Sequence, residues 1–128
     1  MINEDYCSYE VAKLLKEKGF DVPCLAHWFI GTDRNFSISN TPQNWNEIKT
    51  DLNWLSCPTH QMAITWLSEV YGLYIWVDYS RLDCNDKQPY LWNIVETKID
   101  GDYWGGTYNK SPQNAIESAL NYTLKNLL

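Results

Sequence analysis

The alternation of apolar and polar positions is sharpest between Cys57 and Tyr79, CPTHQMAITWLSEVYGLYIWVDY, where one period gives way to another. Pro58 suits the first turn of a helix, where its missing N–H costs nothing, and Ser56 or Cys57 would stand at the cap. Met62, Ala63, Trp66, Leu67 and Val70 then recur at three- and four-residue spacing, with Gln61, Thr65, Ser68 and Glu69 between them. That spacing predicts a helix with one buried stripe, stopped by a left-handed Gly72. Beyond the glycine the period becomes two. Leu73, Ile75 and Val77 fall on one side of a strand, and Tyr74, Trp76 and Asp78 on the other.

The flanking segments read as material laid against this helix–strand unit. Ser8 can cap a first helix with the stripe Val11, Leu14 and Leu15, ended by Gly19. Cys24–Ile30 and Asn35–Ser39 predict a hairpin turning over Gly31 to Arg34. Thr41 to Ser56 mixes a helix-start signal at Thr41-Pro42 with many Asn, Thr and Asp, which predicts a short helical turn within a loop. Arg81 to Pro89 is polar and loop-like. Tyr90 to Lys98 alternates again, with Leu91 and Val95 opposite Tyr90, Trp92 and Ile94. Tyr103 to Tyr108 is a candidate further strand interrupted by Gly105-Gly106. Ser111-Pro112 opens a last helix striped by Ile116, Leu120, Thr123, Leu124 and Leu127.

The order α-β-β-α-β-β-(β)-α, with hairpin-sized connections, predicts an α+β fold. Its expected form is a single domain over residues 1–128: one mainly antiparallel sheet of four to five strands, with three helices packed on one face. The string [TS]-P-Q-N occurs at Thr41–Asn44 and Ser111–Asn114, and both copies are explained as local helix starts.

Composition changes this picture in two ways. A net charge of −6, with Lys and Arg totalling 10, argues against direct nucleic-acid binding, which needs a basic patch to neutralise phosphates. Seven Trp and nine Tyr exceed what a core of 128 residues usually absorbs, and such amphipathic rings favour surfaces buried by a partner. No apolar run approaches the ~20 residues of a membrane span. The opening MINEDYCSYE carries acids where a signal peptide carries bases, so a bacterial cytoplasm is the expected location. There Cys7, Cys24, Cys57 and Cys84 are expected as reduced thiols.

Candidate chemistry is sparse. C-x-x-H occurs at Cys24–His27 and Cys57–His60, but residues three apart on a strand point to opposite faces unless a bulge intervenes, and no zinc-type turn flanks either pair. No metal and no cofactor are expected. Cys57 near a helix N-terminus, with His60 a turn away, could make a nucleophile, yet no third residue orients the pair. Asp78, Asp83, Asp86, Glu96, Asp100 and Asp102 offer carboxylates without singling out any two. Gly105-Gly106 lacks the spacing and the basic residue of a phosphate loop.

Three segments, SYEVAKLLKEKGF (Ser8–Phe20), P-T-x-Q-M-A-x-x-W-L-x-E-V (Pro58–Val70) and A-I-E-S-A-L-x-Y-x-L-x-N-L (Ala115–Leu127), resemble a group of small phage and prophage accessory proteins of Bacteroides-type gut bacteria. The group has no accepted catalytic residues, so the resemblance carries no residue role onto this chain. It implies a phage-encoded accessory protein in the host cytoplasm, a context that favours small binders, including inhibitors of host defence, over enzymes.

The expected function is therefore a non-enzymatic binding module acting on a host protein, on a second copy of itself as a homo-oligomer, or on both. A pocket that sequesters a small aromatic or nucleotide-like ligand is the alternative, and a small hydrolase a second one. The expected binding residues are Tyr74, Trp76, Tyr90, Trp92 and Ile94, on the premise that the two aromatic-bearing strands pair with these side chains on one face. The competing expectation is that the segment carrying Trp45 and Trp54 covers that face as ordinary core.

Overall fold

The computed structural model describes residues 5–30, 33–48, 53–80 and 88–128. The chain divides into two compact units, Met1–Gln61 and Met62–Leu128, each built on its own antiparallel three-stranded sheet.

In the first unit Ser8 caps α1 (Tyr9–Glu17) by accepting from Val11 N at 3.2 Å. Val11, Ala12 and Leu15 form its buried stripe, and Gly19 turns the chain out at φ +90°. β1 (Cys24–Ile30) and β2 (Arg34–Gln43) form the expected hairpin, whose turn residues 31–32 lie outside the described residues. The segment after β2 holds a short 3-10 turn at Trp45–Glu47 and then β3 (Asn53–Ser56), which pairs with the other edge of β1. The strand order is β2-β1-β3.

In the second unit α2 (His60–Tyr71), begun at the end of the first, passes through Gly72 (φ +66°) into β4 (Leu73–Tyr79). β5 (Tyr90–Glu96) and β6 (Tyr103–Asn109) complete a meander in the order β4-β5-β6. Ser111 caps α3 (Pro112–Tyr122), which packs on this sheet, more over β4 and β5 than over β6. The helix widens into a π-type turn at Thr123–Leu127, where the Thr123 hydroxyl donates to Ala119 O at 2.8 Å.

An α+β chain with three helices and antiparallel strands is what forms, but one sheet of four to five strands with every helix on one face is not. The reason is β3. Leu55 and Trp54 pair with Trp28 and Phe29, so both edges of β1 are occupied and the hairpin becomes a complete sheet of its own. α2 also starts two residues later than Pro58 predicts, because Thr59 bridges Tyr6 and Cys7 N donates to Pro58 O at 3.0 Å, which keeps that stretch extended. Its buried stripe includes Ile64, while Val70 is 56% exposed. The loop expected over Arg81 to Pro89 lies mostly outside the described residues.

Candidate functional site

β4 and β5 are both two-faced, and the register decides which faces coincide. Tyr74 stands opposite Val95, Trp76 opposite Asn93, Asp78 opposite Leu91, Val77 opposite Trp92 and Ile75 opposite Ile94. The five expected binding residues therefore do not share a face. Trp92, Ile94 and Tyr90 lie with Ile75 and Val77 on the side that α3 covers, where Ile94 and Trp92 are buried and the Trp92 ring meets Tyr122 at 5.2 Å. Tyr90 is half-buried there, with Tyr79 edge-on to it at 5.4 Å. Tyr74 and Trp76 alone occupy the opposite face.

On that opposite face β6 supplies what the sequence reading missed. Tyr103 pairs with Val95 and leans on Trp76, with ring centroids 6.1 Å apart. Tyr74 stacks on Trp76 at 6.0 Å and 19°. Beneath the rings is Asn93, a buried carboxamide fully engaged on both ends. It donates to Asp78 Oδ2 at 3.1 Å and to Leu91 O at 3.3 Å, and it accepts from the Tyr103 hydroxyl. A buried carboxamide left unsatisfied would cost about 1–3 kcal/mol, so these bonds fix the Tyr103 ring in place. Yet the rims stay open: Tyr74 is 45% and Tyr103 57% exposed. The result is a rigid aromatic platform with a single carboxylate, Asp78, and no basic residue among its strand positions. Such a platform can stack rings, accept cations over its π faces and exclude water. The signal for Asn93 was present as a polar residue between Leu91 and Val95 on the nominally aliphatic side of β5.

In the first unit Trp45 and Trp54 gather around His27. The imidazole stacks on Trp45 at 3.9 Å, and the two indoles are 5.5 Å apart. Trp45 Nε1 donates to Cys24 O at 2.8 Å. Burial lowers the His27 pKa below its ordinary 6.5, partly offset by a backbone hydrogen bond at Leu25. A register irregularity does lie between Cys24 and Ala26, the bulge that a Cys24–His27 chelate would need. The Cys24 thiol, however, donates to Val22 O at 3.3 Å, and burial pushes it up to about 12. Cys57 is likewise buried and donates to Cys7 O at 3.1 Å. A thiol that does lie within 4.8 Å of a His60 ring nitrogen is that of Cys7, fifty residues from the Cys57 of the C-x-x-H pair.

Among the described residues no helix is long and apolar enough to cross a membrane. Comparison of the chain with protein-family models, with curated proteins and with solved structures finds no match in any of the three.

Proposed function

We propose that this chain is a non-enzymatic binding protein of the phage accessory kind, which acts in a bacterial cytoplasm by covering a surface of a host protein such as a defence factor. The observation that carries the reading is the open platform of Tyr74, Trp76 and Tyr103 held over buried Asn93. Aromatic residues anchored on a rigid sheet are what protein interfaces use as their energetic centre. With Asp78 beside the rings and no basic residue among the described strand positions of the face, the complementary surface presents Lys or Arg side chains, which ion pairing and cation–π contact would both hold. A hydrolase has less to stand on: Cys57 is buried with its proton on a carbonyl, whereas a nucleophile must reach its substrate.

The test is capture from the host proteome by the wild-type chain and by Tyr74→Ala combined with Tyr103→Ala. Both rings are exposed, so although losing the Tyr103 hydroxyl costs about 1–3 kcal/mol by leaving Asn93 Oδ1 without that donor, the double variant should keep its far-UV circular dichroism. It should lose a partner that the wild type retains and that elutes at raised salt. Identical capture by the two proteins would remove the platform from consideration.

A further inference from the structure

The other side of the same sheet carries a separate site. Because α3 lies mainly over β4 and β5, an open groove of about 920 Å³ remains between its flank and edge strand β6. Four aromatic side chains line it, Tyr103 among them. Trp92 and Tyr122 form the inner end, 5.2 Å apart, and Trp104 stands on β6 opposite Ile94. The polar groups come from one flank of α3, chiefly Glu117 and Asn121. The Asn126 amide donates to Tyr122 O and the Ser118 hydroxyl to Asn109 Oδ1, so both are partly committed. The Asn121 carboxamide and the Trp104 indole N–H bond no other described residue.

The chemistry of the lining selects a ligand class. Aromatic walls favour a planar ring. A carboxamide free at both ends matches a ring edge that offers one donor and one acceptor side by side, as adenine does. The lining holds no Lys or Arg, and its one carboxylate, Glu117, already has a partner of its own, so nothing in the lining would hold a phosphate. We propose that the groove between β6 and α3 binds an uncharged purine nucleoside of the adenine type, stacked against Trp104 and read at its edge by Asn121. This goes beyond the protein-binding reading, and of the platform residues only Tyr103 also lines the groove. Two sources could present the same base, a free nucleoside and a base within single-stranded nucleic acid, and the lining charge favours the first.

Isothermal titration of the full chain with adenosine, AMP and a short oligoadenylate separates the cases. Adenosine should bind, AMP about fivefold more weakly because its phosphate must leave water for a lining without a cation, and the oligonucleotide more weakly still. Trp104→Ala should weaken adenosine roughly tenfold or more. Asn121→Lys, on a half-buried helix flank, should invert the order so that AMP exceeds adenosine. Tyr74→Ala, on the opposite face and outside the groove lining, should leave adenosine binding unchanged, which keeps this site distinguishable from the platform. The proposal is overturned if adenosine shows no binding at millimolar concentration, if AMP or the oligonucleotide binds the wild type as tightly, or if Asn121→Lys leaves the order intact in a folded protein.

Discussion

The Trp92 indole occupies the space where a side chain at Gly106 would stand: a Cβ there would lie 1.8 Å from Trp92 Cε2 and 2.1 Å from Cδ2. Trp92 is among the buried core residues, so the ring has little room to retreat. Gly106 is thus required by a close approach of a side chain to the strand rather than by its backbone angles. The neighbouring Gly105 differs, since a Cβ there would meet nothing nearer than the Tyr103 hydroxyl at 3.5 Å. Gly106→Ala should cost about 1–3 kcal/mol, as overpacked cores do, whereas Gly105→Ala should be nearly neutral. Chemical denaturation of the two variants checks this, and equal midpoints would contradict the packing described.

The parts of the fold that were legible are those coded by local chemistry. Ser8 and Ser111 cap helices by accepting from Val11 N and Asn114 N, and Gly19 and Gly72 stop them at positive φ. Each of those signals needs only its own few residues. β3 was not legible, because Asn53–Ser56 is four residues long and gains its strand character only from β1. The site was lost for a related reason. Alternation shows that β4 and β5 each have two faces, but their phase is set where the hairpin closes, with Ser80 N donating to Pro89 O at 2.8 Å. A shift of one residue exchanges the faces, and that shift placed Trp92 and Ile94 in the core while Tyr103 took their expected position beside Trp76.

His27 makes stability depend on pH. Its folded-state pKa is lowered by burial, so the unfolded chain binds the proton more tightly. The stability associated with neutral His27 is complete above the ordinary value of 6.5 and is lost as pH falls through 6.5 toward the lower folded value. Stacking against Trp45 reinforces the sense, since protonation would place a charge within a buried aromatic cluster. Melting temperatures of wild type and His27→Gln between pH 5 and 8 should converge toward the acid end. A constant difference across the range would show that His27 does not carry the dependence.

The cysteines of the first unit should be unreactive in the folded protein. Cys7, Cys24 and Cys57 are buried and carry no disulfide. The thiolate is the reacting form, and burial moves Cys24 from 9.0 to about 12, so almost none of it is ionised at pH 8. Iodoacetamide at pH 8, read by peptide mass spectrometry, should label Cys24 far more slowly in native buffer than in urea. Equal rates would mean that this strand opens readily.

The exposed edge of the first sheet leads to the last prediction. β2 is an edge strand of ten residues, all but one of them exposed, and between Asn35 and Gln43 it has no charged side chain. Phe36 and Ile38 lie on one face of it, opposite Trp28 and Ala26, and Ile38 is 55% exposed. Edge strands are ordinarily protected against pairing by an internal charge, a proline or a bulge. Here Arg34 and Pro42 sit near the two ends, and the register irregularity falls beyond Ile38, so the run from Asn35 to Ile38 is unprotected. Antiparallel pairing of this run with a second copy about a two-fold axis would bring Phe36 against Ile38 twice and satisfy the outer backbone groups. Light scattering across a concentration series should therefore show reversible self-association of the wild type. Ile38→Lys adds the missing charge at an exposed position, so it should abolish the association while changing stability by about 0.5 kcal/mol or less. If the variant associates as the wild type does, the contact between copies lies elsewhere, and the double variant Tyr74→Ala with Tyr103→Ala becomes the next to measure by the same method.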